Sequence, residues 1–172
     1  KILQVNNFNY LKGGSERVYQ ESIKLLRNNG HDVRYFSIAN EKNEEFCQGY
    51  SVKVTSWSDA KGIVSKLKAV KRFVYNQNVA NELDYYLQEF KPDIAHLHIF
   101  YGGLSNAIVD ILTKHKIPIV QSVHEFRLLC PTYTCLDSNL EVCEQCAGTI
   151  FKSSCIKKRC VKGSFATSLA AV

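Results

Sequence analysis

The apolar positions of the chain switch between a short-run pattern and a helical one. Residues 1–7 ("KILQVNN") read as a buried strand. Residues 16–29 then place Val18, Ile23, Leu25 and Leu26 on a helical period that stops at Gly30. "DVRYFSIA" (32–39) predicts a second strand and "YSVKVTS" (50–56) a third. Residues 60–90 carry Ile63, Leu67, Val70, Val74, Leu83, Leu87 and Phe90 three or four apart, one apolar helical stripe with a kink predicted near 76–78. "KPDIAHLH" (91–98) and "IPIVQSVH" (117–124) predict two more strands, with a helix over 105–115 between them. Strands alternating with helices imply an α/β fold: a parallel sheet with helices on both faces.

In such a sheet, ligands bind beyond the carboxyl ends of the strands. That rule turns attention to three loops. Gly13 and Gly14 in "LKGGSER" follow strand 1, "HLHIFYGG" closes the fourth strand and "SVHEFRLLCP" the fifth. Glycine admits close approach of a ligand to the backbone, and the following helix start offers free N–H groups, so "LKGGSER" reads either as a phosphate cradle or as a plain tight turn. The dinucleotide fingerprint G-x-G-x-x-G and the P-loop Lys-Ser/Thr pair are absent, which argues against a nicotinamide cofactor and against the usual nucleotide-triphosphatase loop. His96 and His98 share one face of a strand, and His124 ends the next strand beside Glu125 and Arg127, the most site-like of the five histidines.

Composition narrows the picture further. At 172 residues the chain suits one domain, and 45% hydrophobic with 22% charged residues fits a packed globular fold. The net charge of +6 favours anionic partners, and Lys152, Lys157, Lys158, Arg159 and Lys162 gather near the end. No apolar run is long enough to span a bilayer and no leader pattern opens the chain, so a cytosolic setting with reduced thiols is expected. Six of the seven cysteines lie within residues 130–160 and include one C-x-x-C pair. They read as a structural zinc site, as free thiols or as a disulfide.

Taken together, "ILQVNNFNYLKGGSERVYQESIKLLRNNGHDVRYFS", "KPDIAHLHIFYGGLS" and "IPIVQSVHEFRLLCPTY…VCEQC…RCVKGS" resemble the N-terminal domain of GT-B glycosyltransferases of family 4, of the type acting in bacterial polysaccharide assembly. The resemblance implies that residues 1–172 form the acceptor-side, Rossmann-like half of a two-domain enzyme, with a Cys-rich insertion at about 130–160. The C-terminal donor-binding domain would lie outside this chain, which alone would be inactive. The implied reaction is a retaining hexosyl transfer from a nucleotide-sugar to a glycan or polyprenol-linked acceptor, in lipopolysaccharide or capsule synthesis, with no catalytic cofactor. The enzyme would be cytoplasmic, in peripheral contact with the inner membrane surface, and would bind no nucleic acid.

By the same resemblance His124 is the catalytic histidine that contacts the donor sugar. Gly13, Gly14 and Ser15 would meet the donor phosphate and border the acceptor pocket, with His98, Tyr101, Gly102, Gly103 and Arg127 around them. Cys130, Cys143, Cys146 and Cys160 match the family's recurring cysteines and would be the zinc set. The rival reading from another class is a metal-stabilised basic module gripping nucleic acid or another polyanion through residues 143–162.

Overall fold

The computed structural model describes residues 1–55, 62–137 and 139–172, leaving aside the side chains of 63, 66, 166 and 170. It divides into two compact units, Lys1–Ser122 and Val123–Val172. The Cys-rich stretch, expected as an insertion at about 130–160, lies within the second unit, which buries Cys130, Cys146, Cys155, Ile156 and Ser168.

The first unit runs β1 (Ile2–Val5), α1 (Gly14–Asn28), β2 (Val33–Ile38), β3 (Gly49–Val52), α2 (Ile63–Val74), α3 (Gln77–Phe90), β4 (Ile94–Leu97), α4 (Ala107–Lys114) and β5 (Ile119–Gln121). The five strands form one sheet in the order β3-β2-β1-β4-β5, and every neighbouring pair is parallel. This is the Rossmann-like α/β arrangement expected from the alternation. Leu3, Val5, Phe36, Val52, Ala95 and Leu97 pack with Val79, Leu83, Leu87 and Phe90 of α3 and Ile108 and Leu112 of α4. A second cluster joins Tyr19 and Ile23 of α1 to Val33 and Tyr35 of β2.

The kink expected near 76–78 is a break between two helices. Asn76 is extended (φ −99°, ψ 100°) and its side chain accepts from Val79 N at 3.4 Å, so an Asn N-cap starts α3 where α2 has stopped. Residue 56, where the third strand was expected to end, and residue 60, where the helical stripe was expected to begin, lie outside the described residues.

Two apolar stripes differ from expectation. In α1 the buried positions are Glu16, Tyr19, Gln20 and Ile23, while Val18 and Leu25 are exposed. Tyr19 and Ile23 dock on Val33 and Tyr35, and this turns the polar Glu16 and Gln20 inward on the same face. In α2 the single stripe ends: Leu67 and Val74 point to solvent and Ala69 is buried. The α3 part of the stripe, Leu83, Leu87 and Phe90, is core.

The second unit carries α5 (Ser153–Lys157) and α6 (Phe165–Ala171). α6 realises the helix expected after Gly163. Ser164 caps it, its Oγ accepting from Thr167 N at 3.5 Å. α5 falls in a stretch with no helical pattern in the sequence. Among the described residues no helix is long and apolar enough to cross a membrane.

Candidate functional site

The strand order reverses direction at β1, which has β2 on one side and β4 on the other. The loops leaving the carboxyl ends of β1 and β4 therefore diverge and open a crevice between them. The sequence "NNFN" builds the β1 side of it. Asn6, Asn7 and Asn9 are all buried, and each side chain is committed to backbone. Asn6 Nδ2 donates to Phe8 O at 2.8 Å and its Oδ1 accepts from Ile99 N at 3.0 Å. Asn7 Nδ2 donates to Tyr101 O at 2.9 Å and its Oδ1 accepts from Leu104 N at 3.1 Å. Asn9 Nδ2 donates to Glu44 O, and its Oδ1 accepts from Tyr19 Oη at 2.9 Å. Two short amides thus stitch the β1 loop to the β4 loop and hold both rims in one geometry. Each such buried bond contributes about 1 kcal/mol, and an orphaned partner costs more.

Gly13 is the N-cap residue of α1 and Gly14 its first helical residue, both exposed. A Cβ built on Gly14 meets nothing within 4 Å, and one on Gly13 meets only Glu16 Oε2 at 3.5 Å. Nothing internal to the fold requires glycine at Gly14. The N–H groups of the first turn point out of the helix and carry its partial positive charge, while the buried Glu16 carboxylate stands at the same helix end. The place therefore offers donors and one acceptor to a ligand that comes close to the backbone. Ser15 is half-buried on the same turn.

Gly102 and Gly103, expected beside Tyr101 on the opposite rim, have an internal explanation. Gly102 has φ +77° and an added Cβ would stand 2.7 Å from Phe73 Cε2; one on Gly103 would stand 2.3 Å from Ile38 Cδ1 and 2.9 Å from Asn7 Oδ1. These glycines fit the loop to its neighbours. Tyr101 is half-buried, its ring tilted at 36° to that of Phe100 with centroids 4.4 Å apart, and its hydroxyl accepts from Gln121 Nε2.

His98 was expected on the rim and is instead buried, at 1% exposure. Its Nε2 donates to Gln4 Oε1 at 3.0 Å and its ring meets Tyr19 edge-on at 5.3 Å. Gln4 Nε2 in turn donates to His96 Nδ1 at 3.2 Å, and His96 Nε2 to Ser122 Oγ at 2.8 Å. A polar layer of the buried Gln4 and His98 and the half-buried His96 thus lies beneath the crevice. Gln4, the three asparagines and Glu16 are site residues that no expectation from the sequence included. The visible signal was three asparagines in four positions directly after a strand.

His124 and Arg127 belong to the second unit. His124 is half-buried. Arg127 Nη1 donates to Pro131 O at 3.1 Å, its Nε lies 3.7 Å from Glu125 Oε1, and its guanidinium is 5.5 Å from the Tyr133 ring, so this side chain braces its own loop.

Among the described residues no group of three or more His, Cys, Asp or Glu side chains is placed to hold a metal ion, while Cys130, Cys146 and Cys160 of the expected set lie around Cys155. All six cysteines of the unit are free thiols. Cys155, which is not one of the expected zinc set, is the most buried of them at 2% exposure. Burial, with Cys160, Cys146 and Cys130 around it, pushes its pKa up to about 12.

The sequence matches the family described as Glycosyltransferase Family 4 over residues 12–145, from the glycine loop through β5 and the first cysteines. No curated protein matches it. The match spans well over half of the chain and is consistent with the five-stranded parallel sheet and its helices. The chain belongs to glycosyltransferase family 4.

Proposed function

We propose that the chain is the acceptor-side domain of a retaining hexosyltransferase that moves a sugar from a nucleotide-sugar to a glycan or polyprenol-linked acceptor in cell-surface polysaccharide synthesis. The donor would be held mainly by a second Rossmann-like domain facing this crevice, and the chain alone would transfer no sugar. One observation carries the reading: Gly14 opens α1 at the carboxyl end of β1 with empty space where a side chain would be, although glycine in a helix costs about 1 kcal/mol relative to alanine.

Negative charge develops on the departing nucleotide diphosphate. Fixed N–H dipoles of Gly14 and Ser15, aimed from the helix start, stabilise that charge without reorganising in the reaction. The Glu16 carboxylate limits how much anionic charge the helix end welcomes, and it offers an acceptor to a sugar hydroxyl nearby. His124 would contact the donor sugar. Asn6 and Asn7 act indirectly, by fixing the two rims.

The test is transfer by the full-length enzyme carrying this domain, supplied with UDP- and GDP-linked hexoses, with the product's anomeric configuration read by NMR. The reading expects the configuration of the donor to be kept. An inverted product would overturn the retaining assignment, and no transfer from any of these donors would overturn the substrate assignment.

A further inference from the structure

Away from the crevice, at the amino ends of β2 and β3, the first unit has an open pocket of about 620 Å3. That volume is within the usual range for small-ligand sites. The strands are parallel, so the pocket and the crevice stand at opposite ends of the sheet. β3 is an outer strand, and Gly49 and Tyr50 begin it. Gly49 leaves room for a ring: an added Cβ would stand 2.3 Å from Tyr35 Cδ1. The second half of α3 supplies Tyr85, Tyr86 and Glu89 to the facing wall. Tyr50 and Tyr86 stand with ring centroids 5.5 Å apart, and Tyr85, 70% exposed, lines the same pocket.

The polar groups of the lining are of both kinds. Arg34 donates, Glu45 and Glu89 accept, and Gln48 does either. Two polar atoms of this wall, Tyr86 Oη and Arg34 Nε, are buried without a hydrogen-bond partner, and Tyr86 as a whole is 6% exposed. Burial pushes the Tyr86 pKa up to about 12, so its hydroxyl keeps its proton. Carboxylates stand near Arg34, but its Nε is 3.9 Å from Asp32 Oδ1 and its Nη1 3.6 Å from Glu89 Oε1, too long for hydrogen bonds. Buried polar groups are ordinarily satisfied, so this wall lacks an acceptor. Glu45 and Glu89 disfavour an anion such as phosphate, while the guanidinium beside them disfavours a compact cation. A neutral sugar suits the whole lining: its hydroxyls donate and accept, and its apolar face lies on an aromatic ring.

We propose that this pocket is a second, non-catalytic site that binds a neutral sugar ring of a glycan, with the ring on Tyr85 and Tyr50 and its hydroxyls on Glu45, Gln48 and Arg34. The binding itself does not depend on the proposed function. Its use does: a growing glycan would be held here, at the open edge of the sheet, by sugars remote from its reacting end.

Titrating the isotope-labelled chain with maltotriose, cellotriose and mannotriose, followed by NMR, tests the binding without sugar transfer, so its outcome and that of the transfer assay are independent. At least one of these sugars should shift the amide signals of Gln48, Gly49, Tyr85 and Glu89 and leave that of Gly14 in place. Tyr85→Ala and Glu45→Ala should each weaken this binding about fivefold or more. Both positions are exposed, so melting should match the parent; should one variant fail to fold, the other decides. No shift from any of the three sugars would overturn the proposal, as would shifts confined to the crevice or undiminished binding by a folded variant. The same shifts produced by tetramethylammonium or inorganic phosphate in place of the sugars would show a charged ligand and overturn it equally.

Discussion

Gln4 Oε1 accepts a hydrogen bond from His98 Nε2 at 3.0 Å, while the same amide's nitrogen donates to His96 Nδ1 at 3.2 Å. One buried side chain in β1 thereby orients His96 of the neighbouring strand and His98 just beyond that strand's end. The parallel register places Gln4 opposite His96, so the contact follows directly from strand pairing. Gln4→Leu keeps the volume and removes both partners. It should destabilise the protein by about 1 to 3 kcal/mol, because both the buried His98 ring and the half-buried His96 ring lose the hydrogen bond that Gln4 gives them. Urea unfolding of the parent and the variant checks this, and equal midpoints would mean that the polar layer carries no stability.

The two glycine pairs should separate stability from activity. Gly14→Ala meets open space and should leave melting unchanged or slightly raised, while lowering transfer by the full-length enzyme. Gly103→Ala meets Ile38 and Asn7 and should cost about 1 to 3 kcal/mol of stability. Thermal melts of both variants decide the point. Destabilisation by Gly14→Ala would show a packing role that the structure does not contain.

These contrasts mark what the sequence could convey. Period and alternation announced all five strands and the main helices, because each needs only local spacing and one buried side. The break at Asn76 was announced too, since an Asn N-cap is a local device. Which face of α1 turns inward was not, because it depends on Tyr19 and Ile23 meeting Val33 and Tyr35 across the sheet. Nor was the commitment of Asn6, Asn7 and Asn9, whose partners at Ile99, Tyr101, Leu104 and Glu44 lie far along the chain. The glycines of the site looked alike in sequence. Only their surroundings distinguish Gly14, with room to spare, from Gly102 and Gly103, with none.

Acid should loosen the junction of α3 and α4. Asp84 accepts from Lys114 Nζ at 2.8 Å and from His115 Nε2 at 2.5 Å, and these bonds hold its pKa below the ordinary carboxylate value. A lowered folded-state pKa adds stability that is present above the unfolded value, about 3.9, and is lost as pH falls through the folded value. Asp84→Asn should therefore lower the melting temperature modestly at pH 7 and flatten its fall below pH 4. The pair is exposed to solvent and salt, so 0.5 M salt should shrink the difference. A variant whose melting tracks the parent across this range would contradict the assignment.

In the second unit, Cys155 should be the last thiol to react. Burial and its thiol neighbours raise its pKa to about 12, which leaves almost no thiolate at neutral pH, whereas Cys135, Cys143 and Cys160 are only half-buried. Timed alkylation at pH 8 followed by peptide mass mapping reads the order. Early modification of Cys155 in the folded protein would refute it.

The central claim is that the backbone at Gly14 meets the reacting substrate of a glycosyl transfer. The most direct measurement is release of UDP or GDP from the corresponding hexose donors by the full-length enzyme, with extracted polyprenol-linked acceptor present, for the parent and for Gly14→Val. The account predicts release by the parent and a loss of about a hundredfold or more in kcat/KM for the variant at unchanged melting temperature, since misplacing the reacting groups by about an ångström costs that much. Release by a folded Gly14→Val within about twofold of the parent would contradict it.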